Sequence, residues 1–207
     1  MDKETVSFYS RRILTEQGMV EGVLQVADGK FAGLIENPNP AQIAAARDFA
    51  DQRIFAGIID LHSHGYRSWS AKTIDKAEIQ GLSKILPSIG VTATLATTSG
   101  WKAHEMEMLS AIAEALDEGV TGTRILGIHM EGPFFNPDKH NATPREEVIL
   151  PSVEKCEAYW QAARGKIKYM TLAPEMPGAA ETIHWLREHG IVAGAGHTLA
   201  DDEQMRR

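Results

Sequence analysis

Three segments of the chain place histidine or carboxylate residues at or just past the end of a short apolar run. The first run ends in His62 and His64, the second in His129 and Glu131, and the third in His197. Imidazole and carboxylate ligands without a thiolate suit zinc, or iron, manganese or cobalt where those metals are more available. An ion with an open position would carry a water whose pKa falls towards about 7, which makes that water a hydrolytic nucleophile. The pattern therefore predicts a hydrolytic metal site.

Alternate residues of an extended strand share one face, so spacing decides which of these side chains can act together. His62 and His64 are two residues apart and can ligate one ion, and His129 and Glu131 share a face in the same way. A His-x-His pair can also be a polar strand end that hydrogen-bonds to its neighbours. Glu131 can equally be a buried acid held by backbone donors or a salt bridge. Convergence of three strands favours the metal site.

Composition and charge restrict the partners. The chain has 207 residues, 43% hydrophobic and 24% charged, with a formal net charge of -7. Lys and Arg are scattered, so neither nucleic acid nor an anionic membrane is expected as a partner. The single cysteine, Cys156, excludes an internal disulfide and predicts a packed thiol. No signal peptide and no run of about 20 apolar residues is present, which predicts a cytoplasmic protein.

The first fifty residues differ in pattern from the rest. Strand-like segments at 7–14, 18–27 and 31–36, with a tight turn at Asp28-Gly29, predict a small β module over residues 1–52. The alanine-rich segment 41–50 is interpreted as a linker or a short helix.

Residues 53–207 alternate between the two kinds of element. The predicted strands are 54–61, 91–97, 125–130, 167–173 and 191–195, and the predicted helices are 75–88, 103–119, 152–163 and 179–189. These elements make up five strand-helix units, of which the fifth has only its strand. Such alternation indicates parallel strands in an α/β barrel or an open doubly wound sheet. Polar residues after the strands favour the barrel, whose sites lie at the carboxyl ends of its strands. They are His62, His64, Thr97, Thr98, Glu131, Glu175 and His197.

The polar loop after the third strand, residues 136–145, is long enough to fold over a ligand. Lys139, His140 and Arg145 could meet an anion there. A plain surface loop is the alternative.

Three motifs together carry a family resemblance. Gly127-Ile-His-Met-Glu-Gly-Pro-Phe-Phe-Asn136, Thr171-Leu-Ala-Pro-Glu175 and Ala193-Gly-Ala-Gly-His-Thr198, in this order, resemble the N-acetylglucosamine-6-phosphate deacetylases of the amidohydrolase superfamily. The resemblance runs from about Ile54 to the last residue. It implies a TIM-like (β/α)8 barrel with a small β-sandwich built from both chain ends, of which residues 1–52 would be a part.

The resemblance also implies roles for individual residues. Glu131 and His197 correspond to metal ligands, and His62 with His64 matches family members that have a second metal position, so one or two ions are expected. Ala142 corresponds to a residue whose backbone contacts the substrate, and we assign Asn141 and His140 beside it to the same role. His129 is predicted to polarise or orient the substrate carbonyl. A homodimer is expected for the full-length protein.

Two departures from the family pattern are visible. The family loop reads Lys-Gly-Ala followed by His or Gln, whereas this chain has Lys139-His-Asn-Ala-Thr143, so the preferred amino-sugar epimer could differ. The family's further metal-binding histidine and its catalytic aspartate would follow residue 207, together with three barrel strands and the rest of the β module. We therefore expect the chain to be part of a longer protein.

The predicted reaction is metal-dependent hydrolysis of the N-acetyl group of N-acetylglucosamine 6-phosphate, which gives glucosamine 6-phosphate and acetate. The alternatives are an N-acetylgalactosamine-6-phosphate deacetylase, a cyclic amidohydrolase or a deaminase, since the His-x-His start is shared among such enzymes. A further alternative is a truncated, non-catalytic remnant that binds metal without turnover.

Overall fold

The structure, a computed structural model, describes residues 5–100 and 102–206. The chain divides into two units, Met1–Ala56 and Gly57–Arg207. The boundary expected after residue 52 lies near this division and stays a prediction. The first four residues of the expected β module lie outside the described part.

The first unit is one five-stranded sheet. In chain order its elements are β1 (Thr5–Thr15), β2 (Gly18–Ala27), β3 (Lys30–Glu36), the short helix α1 (Pro40–Ala44), β4 (Arg47–Asp48) and β5 (Arg53–Ile54). The strands β1, β2 and β3 are antiparallel neighbours, whereas β4 and β5 run parallel to β1. Asp28 and Gly29 have φ angles of 52° and 70°, the left-handed pair that a two-residue hairpin turn requires. The predicted turn is therefore present.

The second unit alternates strands and helices. In chain order its elements are β6 (Ile58–Ser63), β7 (Gly65–Tyr66), β8 (Trp69–Ser70), α2 (Lys76–Ile85), β9 (Val91–Ser99), α3 (Glu105–Glu118), β10 (Arg124–Glu131), α4 (Val153–Ala162), β11 (Ile167–Leu172), α5 (Ala179–Glu188) and β12 (Val192–Ala195). Among the residues described, no helix is long and apolar enough to cross a membrane.

Five of these strands form one parallel sheet in the order β12-β11-β10-β9-β6. Each of these five strands pairs with the one that comes next along the chain, and every connection between them contains an α-helix. An open doubly wound sheet would reverse its strand order partway across, and this sheet does not. The topology is that of a (β/α) barrel over five of its strands, as the sequence predicted.

The helices cover the sheet through narrow apolar faces. Ile79 and Leu82 of α2, and Leu109 and Ile112 of α3, are three residues apart and almost completely buried. Residues at this spacing lie on the same side of a helix. They pack in one core with Ile128 and other residues of the sheet. This packing holds the strands in register and so determines which side chains meet at their carboxyl ends.

In the second unit, two strands differ from the sequence-based prediction by two residues or more at an end, and the other three by one residue. The first predicted strand is broken, because β5 ends at Ile54 and β6 begins at Ile58, so His62 lies inside β6. The second is longer than expected, and Thr97 and Thr98 lie within β9 rather than after it. The prediction that polar residues follow their strands is therefore wrong for four of them, which lie within β6, β9 and β10: His62, Thr97, Thr98 and Glu131.

Cys156 is 1% exposed on α4, and burial raises the pKa of its thiol to about 12. A protonated, enclosed thiol is unreactive, in agreement with the packed role predicted for it.

Gly132, which directly follows β10, has a φ of 88°. A Cβ atom there would lie 2.4 Å from the Phe135 ring. Gly90 has a similar φ of 81°, but a Cβ atom at that position would meet nothing within 4 Å. A substitution at Gly90 would therefore cost only the strain of a left-handed backbone, whereas one at Gly132 would add a steric clash.

Replacing either glycine by alanine should destabilise the fold, but to different degrees. We expect Gly90→Ala to lower the free energy of unfolding by about 1–2 kcal/mol, the cost of a left-handed L-residue. Gly132→Ala should cost roughly 3 kcal/mol or more, because overpacking adds about 1–3 kcal/mol. Urea denaturation of both variants checks this. Equal losses would contradict the packing of Phe135 against Gly132.

Candidate metal centre

Three imidazole nitrogens surround the carboxylate of Glu131, the last residue of β10. His64 Nε2 lies 2.9 Å from Oε2, while His197 Nε2 and His62 Nε2 lie 3.1 Å and 3.4 Å from Oε1. The Glu131 side chain is 14% exposed, whereas His62 and His64 are about half exposed, at 49% and 45%. The carboxylate is thus enclosed by the protein and open on the side of these two rings.

The donor atoms are close enough to share an ion. The candidate ligand atoms of His62, His64 and Glu131 all lie within 4.8 Å of one another. His197 lies outside this group but contacts the same carboxylate oxygen as His62. Imidazole nitrogens with a carboxylate and no thiolate are the donors that zinc and related divalent ions take in hydrolytic sites. The residues present therefore fit a divalent ion.

Backbone carbonyls orient two of the rings. His64 Nδ1 lies 3.0 Å from the Thr97 carbonyl oxygen, and His197 Nδ1 lies 2.9 Å from that of Lys139. A carbonyl can only accept, so each Nδ1 carries the hydrogen and donates it. In the absence of an ion, each Nε2 also carries a proton and donates it to Glu131. Loss of that proton would leave a neutral ring that presents the lone pair of Nε2, which is the usual arrangement of a metal-binding histidine and its backbone partner.

The imidazoles also set the charge of the carboxylate. The hydrogen bond from His64, together with that from His197 and the charge of His62, lowers the pKa of Glu131 to about 2 although partial burial opposes this. The same hydrogen bond to Glu131 raises the pKa of His64. Glu131 is therefore an anionic donor at neutral pH.

His129, predicted as a catalytic group, is 2% exposed and has both ring nitrogens engaged. Its Nδ1 donates to the Leu61 carbonyl oxygen at 3.0 Å, and its Nε2 accepts from the Thr171 hydroxyl at 2.8 Å. Burial lowers its pKa to about 4, so the ring is neutral. These contacts join β6, β10 and β11 behind the site. A direct catalytic role for His129 stays a prediction.

The loop expected to meet the substrate adjoins the candidate ligands. It supplies the Lys139 carbonyl that accepts from His197. Within it, His140 Nδ1 lies 2.6 Å from the Thr143 carbonyl oxygen, and Asn141 has a φ of 52°. Asn141 and Ala142 are exposed. The loop is therefore placed to contact a ligand at this site, and substrate binding by His140, Asn141 and Ala142 stays a prediction.

Two neighbours of the site were not predicted. The Phe135 ring stacks on the His197 ring with centroids 3.9 Å apart. The sequence predicts Glu175 only as a polar residue after its strand. Partial burial acts to raise its pKa, but hydrogen bonds from Thr198, Leu199 and Asn136 lower it overall. Its position after a predicted strand and the Thr171-Leu-Ala-Pro-Glu175 motif both indicate this residue, but neither reveals its partners.

Two curated relatives of this chain carry the same name. The chain is 34% identical over 197 residues to the N-acetylglucosamine-6-phosphate deacetylase of Bacillus subtilis (strain 168), which is 91% of this chain and 49% of the relative. It is 29% identical over 201 residues to the enzyme of the same name from Vibrio furnissii, which is 96% of this chain and 50% of the relative. The chain matches no protein-family model.

A solved structure has the same fold. It is an aspartate-to-alanine variant of N-acetyl-D-glucosamine-6-phosphate deacetylase from Mycobacterium smegmatis in complex with N-acetyl-D-glucosamine-6-phosphate. The TM-score is 0.87 at 25% identity, over 98% of this chain and 52% of that one. The chain spans about half the length of the curated relatives it matches. The chain therefore belongs to the family of N-acetylglucosamine-6-phosphate deacetylases.

Proposed function

We propose that this chain carries the metal-binding part of an enzyme that hydrolyses the N-acetyl group of N-acetylglucosamine 6-phosphate to glucosamine 6-phosphate and acetate. The observation that carries the proposal is the carboxylate of Glu131 among the Nε2 atoms of His62, His64 and His197. It lies at the carboxyl end of a parallel sheet, where barrel enzymes have their sites. Membership of the deacetylase family supplies the substrate class.

Glu131 and His197 would hold the ion, with His62 and His64 completing the set or forming a second position. We propose zinc, because it suits imidazole and carboxylate donors. A bound divalent ion supplies Lewis-acid polarisation of the amide carbonyl and lowers the pKa of water.

The chain's own residues orient the metal-binding side chains and leave one side of the site open. The anionic Glu131 supplies the negative charge of the donor set, and the carbonyls of Thr97 and Lys139 fix the rings of His64 and His197. The half-exposed His62 and His64 leave one side of the site open, where an acetamido group can enter. We assign the sugar to the loop that contains His140, Asn141 and Ala142.

Proton transfer needs a further group. By the resemblance set out above, the family's general base is an aspartate for which this chain has no matching position. The neutral His129 holds strands together rather than facing the open side, so we do not assign it as the base. We therefore propose that turnover requires that aspartate. The homodimer and the cytoplasmic location predicted from the sequence stay predictions.

The first prediction concerns metal affinity. Glu131→Gln keeps the size of the side chain but removes its negative charge. We expect the affinity for Zn²⁺ to fall by ~100-fold, at least as much as the loss of an outer-sphere partner usually costs. Competition with a zinc-binding dye measures it. Glu154→Gln, an exposed change on α4, is the matched control and should bind as the unaltered chain does. Equal affinity of Glu131→Gln would refute the site.

The second prediction concerns turnover. With Zn²⁺ supplied, the product of the complete gene that encodes this chain should release acetate from N-acetylglucosamine 6-phosphate. Glu131→Gln in that protein should lower kcat/KM roughly 1,000-fold, which corresponds to several kcal/mol of Lewis-acid stabilisation. The 207-residue chain alone should bind metal and release no acetate.

The same assay separates the alternatives. N-acetylgalactosamine 6-phosphate and a cyclic ureide are tested beside the proposed substrate. A faster reaction with either one would reject the substrate assignment. Metal binding without turnover of any of the three by the complete protein would favour the non-catalytic alternative.

A further inference from the structure

Glu175, three residues past the end of β11, accepts hydrogen bonds from two different loops. The Asn136 side-chain amide donates to Oε1 at 2.8 Å, and the Leu199 backbone N–H donates to the same oxygen at 2.7 Å. The Thr198 hydroxyl donates to Oε2. Asn136 belongs to the loop after β10, and Thr198 with Leu199 belongs to the segment after β12. One carboxylate therefore joins both loops.

These two loops flank the candidate ligands. Glu131 ends β10, five residues before Asn136, and His197 directly precedes Thr198. A second contact joins the same two loops, because the Asn136 backbone N–H donates to the His197 carbonyl oxygen at 2.9 Å. Whatever fixes these loops relative to each other also fixes the distance between His197 Nε2 and the Glu131 carboxylate.

His197 needs such support. Its φ is 52°, in the left-handed region that residues other than glycine rarely adopt and that persists only where surrounding contacts enforce it. On one side of His197 the chain is held by β12, which pairs with β11 as far as Ala195. On the other side, Thr198 and Leu199 are held by Glu175. The carboxylate thus fixes the end of the segment that β12 does not.

Glu175 is not placed as a ligand. Among the described residues, the group whose donor atoms could share an ion consists of His62, His64 and Glu131. Both oxygens of Glu175 are already engaged by the donors named above, and the charge of a carboxylate strengthens such hydrogen bonds. Its effect on the site must therefore pass through the backbone of residues 197–199 and through Asn136.

We propose that Glu175 is a positioning residue that sets the orientation of His197 at the metal site. The proposal rests on the proposed function, since it requires that His197 helps to hold an ion. It extends that function by assigning to the Thr171-Leu-Ala-Pro-Glu175 segment the task of joining the loops after β10 and β12.

The test is Co²⁺ titration of the 207-residue chain, followed by visible absorption. Glu175→Ala removes all three acceptor contacts and should weaken Co²⁺ binding by roughly 10–100-fold, the usual cost of losing an outer-sphere partner. The ligand-field bands should also change, because His197 is displaced. Glu175→Gln keeps an acceptor for Asn136 and Leu199, so it should restore affinity to within ~3-fold of the unaltered chain.

Two further variants complete the design. Glu181→Ala removes an exposed carboxylate from α5 and should leave Co²⁺ affinity and spectrum unchanged. Thr198→Val removes the hydroxyl that donates to Glu175 and accepts from the Ala200 backbone N–H. It should weaken binding by ~3–10-fold, which keeps the proposal testable if Glu175→Ala does not fold. Thermal unfolding without metal is recorded for each variant, so that lost stability is separated from lost binding.

The outcomes distinguish failure of the positioning role of Glu175 from failure of the proposed metal site. If the unaltered chain binds Co²⁺ and Glu175→Ala binds it with the same affinity and spectrum, the positioning role is overturned even where stability falls. If the unaltered chain shows no binding that depends on Glu131, the metal site fails and the positioning role fails with it.

Discussion

The structure of this site depends on one constraint, the charge of a carboxylate that is largely removed from water. Glu131 is 14% exposed, and a carboxylate in such a place is costly unless hydrogen bonds or opposite charge compensate it. Three histidines from two other strand ends provide that compensation. A divalent ion would provide it with the same residues, which explains why the arrangement suits both a stable fold and a hydrolytic centre.

The fold meets this constraint through the order of its strands. In a parallel sheet the carboxyl ends lie on one edge, so β6, β10 and β12 deliver His62, Glu131 and His197 to the same region. Contacts behind the site then limit movement. His129 joins β6 to β11 through Leu61 and Thr171, and Glu175 joins the loops after β10 and β12. The site is thus held by side chains that need not touch a substrate.

Local patterns in the sequence predict the framework and the donor residues. The alternation of strand and helix predicts the barrel topology, and the strand-end positions of His62, His64, Glu131 and His197 predict their convergence. The partners of these residues could not be predicted. The Lys139 carbonyl leaves no trace in a residue pattern, because every residue has a carbonyl. The bonds of Glu175 to Asn136 and Leu199 join residues 39 and 24 positions apart, which no local periodicity connects.

X-ray absorption spectroscopy of the zinc-loaded chain tests most directly whether the residues around Glu131 form a metal centre. We predict nitrogen and oxygen donors at about 2.0–2.2 Å, no sulfur, and the outer-shell scattering that imidazole rings give. Replacing His64 by alanine should reduce the imidazole signal. A sulfur shell at about 2.3 Å, or a spectrum without imidazole scattering, would show that the ion does not bind at these residues.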